Sequence, residues 1–89
     1  MLTGKERARL RGLANSLDPV VQIGKAGVSP EVTASADEAL EARELIKVSV
    51  LDGCPQSVRE AAELLHERTR SETVTVIGNK FVLYRKSKK

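Results

Sequence analysis

The segment Gly24-Lys25-Ala26-Gly27 places two glycines around a lysine, directly after a β-rich run and shortly before a helix start at Ser29-Pro30. A glycine loop that leaves a strand and enters a helix directs several backbone N–H groups and the positive end of the helix dipole toward one point. The ammonium group of Lys25 adds a full positive charge there. These residues could therefore hold an oxyanion such as a phosphate.

The spacing of this loop limits the kind of phosphate that it could bind. The Walker loop is longer and ends in Gly-Lys-Ser/Thr, and the dinucleotide fingerprint needs a third glycine, so nucleotide hydrolysis and NAD binding are disfavoured. A G-x-x-G loop that grips a nucleic-acid backbone, as in KH domains, is a precedent. A plain strand-to-helix turn explains the spacing equally well, because such turns favour glycine in any case.

Other residues with reactive side chains form no catalytic pattern. His66 is the only histidine and falls on the polar face of a helix, where a solvent-exposed residue is the simpler interpretation. Cys54 precedes a helix start, a position that can activate a thiol, but no nucleophile motif surrounds it. One cysteine and one histidine are too few for a tetrahedral zinc site. We therefore expect no enzymatic activity, no metal and no cofactor.

Charge is distributed unevenly along the chain. Residues 1–29 carry five basic side chains against two acidic ones and residues 73–89 carry five and no acid, whereas residues 30–45 carry five acidic side chains against one basic. Each basic segment alone is typical of a solvated surface, but together with the glycine loop they would follow an RNA phosphate backbone. The candidate RNA-binding residues are Lys5, Arg7, Arg9, Arg11, Gly24, Lys25, Ala26, Gly27, Tyr84, Arg85 and Lys86.

The scarcity of aromatic residues limits the mode of binding. Phe81 and Tyr84 are the only two, and Phe81 alternates with Leu83 as a core residue should, which leaves Tyr84 as the one candidate for stacking on a base. Sheet surfaces of the RRM or OB type stack several bases on aromatic rings and are therefore disfavoured. We expect recognition of backbone and shape, with strong salt dependence.

The hydrophobic pattern predicts the element order α-β-α-β-α-β-β. Thr3 and Glu6 have the form of a capping box at the start of a helix over about residues 4–15, whose apolar stripe includes Leu10 and Leu13. Further helices are predicted over about 30–43 and 55–69, with strands near 19–24 and 44–51 and a hairpin around Gly78-Asn79. Helices between strands imply parallel crossovers, so we expect an α/β fold of the two-layer α+β type with a mixed four-stranded sheet.

Length and composition predict one small domain. The 89 residues, 40% hydrophobic and 30% charged, suit a single domain over residues 1–89 with a loose basic tail over about 86–89. Charges interrupt the apolar residues from the fifth position, so no secretory segment or membrane span is expected. We expect a cytoplasmic monomer without a membrane or small-molecule partner.

Three segments carry a resemblance to a known family. They are LTGKERARLRGLANSLDPVVQIGKAGVSPEV, ELIKVSVL and VIGNKFVLYR, and they cover essentially the whole chain. The chain resembles the bacterial stand-alone CRM (chloroplast RNA splicing and ribosome maturation) domain of the YhbY type, and the combination of G-K-A-G, L-I-K-V and L-Y-R is specific. Related domains in plants occur in organellar group II intron splicing factors.

The resemblance carries implications for fold and function. It implies an RNA-binding domain similar to the C-terminal domain of the third bacterial translation initiation factor, associated with the precursor of the large ribosomal subunit. The family's G-x-x-G loop would fall on Gly24–Gly27, and its basic surface on helix 1 and around the loop. We therefore expect binding to structured ribosomal RNA during assembly. The alternative is a protein-interaction module that reaches assembling ribosomes through its acidic helix or polar sheet face.

Overall fold

The computed structural model describes residues 2–86 and contains seven elements in the predicted order. The helices and strands are α1 (Gly4–Ala14), β1 (Val21–Ile23), α2 (Pro30–Arg43), β2 (Leu45–Val50), α3 (Val58–Thr69), β3 (Glu72–Ile77) and β4 (Lys80–Tyr84). The prediction of three helices and a mixed four-stranded sheet is confirmed. Of the loose tail predicted over 86–89, residues 87–89 lie outside the described residues. None of the helices within 2–86 has the length and apolar character needed to cross a membrane.

Side-chain hydrogen bonds fix where the first two helices begin. At α1 the Thr3 hydroxyl accepts from the Glu6 N–H at 3.1 Å, and the Glu6 carboxylate accepts from the Thr3 N–H at 3.3 Å, so the predicted capping box is present. At α2 the Ser29 hydroxyl accepts from the Val32 N–H at 3.2 Å, and Pro30 is the first helical residue, as predicted.

The third helix begins three residues later than the sequence pattern indicated. The pattern predicted a start at Pro55, whereas α3 runs from Val58. Ser57 and Glu60 form a second capping box, in which the Glu60 N–H donates to the Ser57 hydroxyl at 3.2 Å and the Ser57 N–H donates to the Glu60 carboxylate at 3.0 Å. Residues 51–56 therefore form a loop, and its end packs against Gly27.

The sheet has the strand order β1-β2-β4-β3. β1 pairs in parallel with β2, whereas β4 is antiparallel to both β2 and β3. β2 and β3 consequently run in the same direction with β4 between them, as a helical crossover requires. The hairpin turns at Gly78-Asn79, and of these two residues only Gly78 has a positive φ, 58°, which is typical of a type II′ turn.

Helices cover both faces of the sheet to different extents. On one face, α2 and α3 pack over a large buried cluster that includes Ile23, Leu40, Val48, Leu65 and Phe81. On the other face, α1 packs over a smaller cluster of Leu10, Ala14, Val74 and Val82. The sheet with α2 and α3 forms the predicted two layers, and α1 adds a partial third layer.

The contact between α1 and the sheet is narrower than the helical spacing suggested. Leu10 and Ala14 are buried, whereas Leu13, which was expected in the same apolar stripe, is 55% exposed. Its side chain lies beyond the edge of the contact, because a helix that packs on a sheet buries only the residues of one face.

Strand direction separates two groups of residues at the two ends of the sheet. Because β1 and β2 are parallel, residues 24–27 after β1 and residues 51–56 after β2 lie at the same end, which we call the loop end. β4 runs antiparallel to β2 and ends at Tyr84, which pairs with Leu45, the first residue of β2. Arg85 follows Tyr84 and therefore lies at the opposite end of the sheet, which we call the far end. The six residues of β2 separate the two ends by about 17 Å.

Candidate nucleic-acid interface

Residues Gly24–Gly27, the glycine loop, form a tight turn at the loop end of the sheet. The Gly27 N–H donates to the Gly24 carbonyl at 2.9 Å. Lys25 and Ala26 occupy the exposed corner of this turn. Within residues 2–86, no group accepts a hydrogen bond from their N–H groups, and no carboxylate pairs with the Lys25 ammonium. The corner therefore presents two free N–H donors and one full positive charge to an incoming anion.

The two glycines of the loop differ in what the fold demands of them. Gly27 has φ +69°, and a Cβ on it would clash with the Gln56 side-chain oxygen and lie 2.9 Å from Pro55 Cγ. Only glycine fits both the backbone conformation and the space. At Gly24, no atom of residues 2–86 lies within 4 Å of the position that a Cβ would take. The fold does not need glycine there, and the open space remains available to a ligand.

Two side chains from distant parts of the chain anchor the residue that follows the loop. The Val28 N–H donates to Gln56 Oε1 at 3.2 Å, and the Val28 carbonyl accepts from Arg68 Nη1 at 2.8 Å. Val28 is buried, so both of its backbone polar groups need such partners. This arrangement holds the glycine loop against α3 and its preceding loop, and it reduces the conformational freedom that a ligand would otherwise have to remove.

Sequence reasoning missed both anchors. Gln56 and Arg68 are 28 and 40 residues away from Val28 along the chain. Arg68 falls on the polar side of the predicted third helix. Gln56 was predicted to lie inside that helix, whereas α3 begins only at Val58. The one local signal that points to Gln56 is the Ser57–Glu60 capping box, which places the preceding residues in a loop.

The basic side chains predicted on α1 are all exposed. They are Lys5, Arg7, Arg9 and Arg11. Among the described residues, none of them forms an ion pair or a side-chain hydrogen bond with a carboxylate. α1 lies on the sheet face opposite to α2, the helix that carries the acidic cluster. Four charges are thus free to contact an anionic partner on one side of the molecule.

Arg85 lies away from the glycine loop and is engaged within the protein. Its guanidinium donates to the carboxylate of Asp37 at 2.5 Å, to Glu41 Oε2 at 3.1 Å and to the Thr69 carbonyl at 2.8 Å. Its side chain is only 18% exposed. These contacts tie the end of β4 to α2 and α3 at the far end of the sheet. A contact between Arg85 and RNA stays a prediction, and this geometry gives it a structural role.

The remaining two predicted residues are also at the far end. Tyr84 is half-buried and packs against the cluster under α1, next to Leu45 on the neighbouring strand. Lys86 is exposed. The structure therefore groups the candidate residues into the glycine loop at the loop end, the exposed charges of α1 on one sheet face, and the C-terminal group at the far end.

The two reactive side chains singled out from the sequence have structural contacts. His66 Nδ1 lies 3.2 Å from the Ser71 carbonyl, beyond the last turn of α3. The Cys54 thiol donates to Gln56 Oε1 at 3.6 Å, and the same oxygen accepts a hydrogen bond from the Val28 N–H. Both contacts are typical of side chains that stabilise loops and helix ends.

Comparison with known proteins identifies the family. The family model of the CRS1/YhbY (CRM) domain matches residues 2–85. The probable RNA-binding protein YqeI of Bacillus subtilis is 50% identical over 88 residues, which cover 99% of this chain and 92% of that protein. An RNA-binding protein of Haemophilus influenzae is 36% identical over 97% of this chain and 87% of its own length.

A solved structure agrees with the sequence relatives. The solution structure of SAV1595 from Staphylococcus aureus, described as a protein thought to bind RNA, has 50% sequence identity and a TM-score of 0.85. The match covers 100% of this chain and 93% of that one. The fold, the family model and the relatives agree over nearly the whole length, and the chain therefore belongs to the CRS1/YhbY (CRM) domain family.

Proposed function

We propose that this protein binds structured ribosomal RNA in the precursor of the large ribosomal subunit and takes part in assembling that subunit. The glycine loop and the basic side chains of α1 contact phosphates, so that recognition depends on backbone and shape. RNA as the ligand is supported by relatives that are named as RNA-binding proteins.

The observation that carries this proposal is the set of unpaired positive groups on a rigid frame. Lys25 and the four basic residues of α1 have no carboxylate partner among the described residues. Arg85, by contrast, is paired twice. Charges that the fold does not use internally are available to displace counterions from a phosphate backbone, which is the main source of affinity for RNA.

Exchanging Lys25 for Glu tests the role of the glycine loop. We expect Lys25→Glu to weaken binding to large-subunit ribosomal RNA and to reduce the slope of log affinity against log salt by about 1 or more. Arg43→Glu is the matched control, because Arg43 is exposed at the end of α2, at the opposite end of the sheet from the glycine loop. Equal affinities and slopes for the two variants would remove the loop from the interface.

The ribosomal part of the proposal needs a separate test in cells. Crosslinking of the wild-type protein to RNA, followed by sequencing of the attached fragments, should recover large-subunit ribosomal RNA above all other RNA. The protein should also co-sediment with precursor subunits rather than with mature ones. Crosslinks spread evenly over messenger and transfer RNA would contradict a role in assembly.

The acidic helix provides the alternative, a protein-interaction module. Two of its carboxylates, Asp37 and Glu41, are engaged by Arg85, so fewer charges are free to meet a protein partner than the sequence suggested. Neutralising the basic residues of α1 separates the two functions. Loss of co-sedimentation supports RNA binding, whereas co-sedimentation that persists supports docking through α2.

A further inference from the structure

The face of the sheet that carries α1 is only partly covered by it. Beyond the helix, toward the loop end, lies a groove of about 260 Å³ lined by Lys47, Ile77, Gly78, Asn79, Lys80 and Val82. Lys47 pairs with Val82, and Ile77 pairs with Lys80, so these four side chains lie on one face of the sheet. Val82 also belongs to the cluster under α1, which shows that this is the α1 face.

The groove combines positive charge with an apolar floor. Lys47 and Lys80 are diagonal neighbours on adjacent strands, and their Cα atoms are about 7–8 Å apart. Their long side chains can therefore converge on one anion. Among residues 2–86, no carboxylate pairs with either ammonium group; Lys80 donates only to Asn79 Oδ1, at 3.3 Å. Ile77 is 52% exposed at the rim, and buried Val82 forms the floor.

The position of the groove connects the two parts of the proposed interface. On the side toward the far end, the groove borders α1, which packs on Val82. On the side toward the loop end, Asn79 donates to the Val50 carbonyl at 3.1 Å, and Val50 is paired with Ile23, the last residue before the glycine loop. The Gly78-Asn79 turn and the glycine loop are therefore about 10 Å apart, two strand spacings along the same end of the sheet.

We propose that this groove binds one nucleotide of the RNA, an inference that rests on the proposed function. The phosphate lies between Lys47 and Lys80, and the ribose and base edge contact the exposed side chain of Ile77. Among the described residues, no aromatic ring lines the groove, so its contribution is electrostatic and apolar rather than base stacking. The RNA strand then runs from the basic side chains of α1, across the groove, to the glycine loop.

Neutral replacement of the two lysines tests the proposal. We expect the double variant Lys47→Gln, Lys80→Gln to bind large-subunit ribosomal RNA more weakly than wild type and with a salt slope lower by about 1. The control is Arg43→Gln, Arg70→Gln, which removes the same charge from the far ends of α2 and α3 and should bind like wild type. Equal binding by both double variants would overturn the proposal while leaving the glycine loop and α1 as the interface.

Lysine reactivity in the wild-type protein gives a second measurement that needs no variant. Acetylation followed by mass spectrometry should show Lys47 and Lys80 protected several-fold when large-subunit ribosomal RNA is added. Protection of Lys25 together with unchanged reactivity of Lys47 and Lys80 would overturn the groove alone. If wild-type protein does not bind this RNA at all, the proposed function fails and the groove proposal fails with it.

Discussion

At the scale of single residues, Gly24 and Gly27 differ although they have equivalent positions in the G-x-x-G pattern. The positive φ and the contact with Gln56 explain the glycine at position 27 through the fold. The open space beside Gly24 leaves its glycine without a structural reason. A phosphate that approaches the backbone closely would supply one, because a Cβ at this position would keep the phosphate away from the N–H groups.

Replacing each glycine with alanine separates an effect on stability from an effect on RNA binding. Gly27→Ala should lower the free energy of unfolding by about 1–3 kcal/mol, since alanine at positive φ is strained and its Cβ displaces Gln56. Gly24→Ala should leave stability unchanged or raise it by up to about 1 kcal/mol, yet weaken RNA binding. Urea unfolding and a binding titration measure both effects. A destabilised Gly24→Ala, or one that binds normally, would contradict this explanation.

Gln56 should support the glycine loop through a single hydrogen bond. Gln56→Ala leaves the buried Val28 N–H without its partner, which costs about 1–3 kcal/mol of stability. We expect faster amide hydrogen exchange at Val28 and weaker RNA binding. Gln22→Ala is the control, because Gln22 is exposed on β1. Slow exchange at Val28 in both variants would show that the anchor is dispensable.

Arg85 should matter more for stability than for RNA affinity. Arg85→Gln leaves the Thr69 carbonyl without its charged donor and removes both carboxylate contacts, so we expect a loss of about 1–3 kcal/mol. Lys86→Gln, at the exposed neighbouring position, should change stability by less than about 0.5 kcal/mol. Thermal unfolding compares the two. A large loss of RNA affinity with unchanged stability would instead place Arg85 in the interface.

At the scale of elements, the two capping boxes make the helix starts sensitive to acid. Hydrogen bonds from Thr3 lower the pKa of Glu6 below its usual 4.5, and hydrogen bonds from Ser57 do the same to the pKa of Glu60. Since the folded-state pKa lies below the unfolded value, the stabilisation is present above the unfolded pKa and is lost as the pH falls through the folded pKa.

A capping-box variant tests this acid sensitivity. The free energy of unfolding of wild type should exceed that of Thr3→Ala, Ser57→Ala near neutral pH, and the difference should shrink as the pH falls from about 5 to about 3. Denaturant unfolding at each pH provides the comparison. A difference that stays constant over this range would mean that only the hydroxyl groups, and not the carboxylates, cap the helices.

The elements themselves could be predicted because their signals are local. Helical spacing, the Ser29-Pro30 start and the Gly78-Asn79 turn each depend on a few neighbouring residues. The irregularity in β3 was not predictable in this way. A register shift between Thr73 and Thr75 turns Val74 toward α1 and Val76 toward α2 and α3, although two residues apart in a regular strand would share a face. This register shift is required only by the packing of side chains on both faces of the sheet.

At the scale of the whole molecule, the sheet separates the basic helix α1 from the acidic helix α2. α1 carries its four exposed basic side chains on one face, and α2 carries the acidic cluster on the other. The sequence indicated these charge blocks, but their spatial relation depended on topology. The C-terminal basic residue Arg85 lies on the acidic side, where it is paired over 48 residues of chain with Asp37. Such long-range pairs have no local signal, so the sequence could show neither that Arg85 is paired nor that Lys47 and Lys80 are neighbours on the α1 face.

The salt dependence of binding to large-subunit ribosomal RNA tests the central claim most directly. We would compare wild type with a variant in which Lys5, Arg7, Arg9 and Arg11 are replaced by Gln, using the Arg43→Gln, Arg70→Gln protein as the control. The phosphate contacts predict a slope of log affinity against log salt that is lower by about 2–4 in the α1 variant and nearly unchanged in the control. An α1 variant with the wild-type affinity and slope would contradict RNA binding through this face.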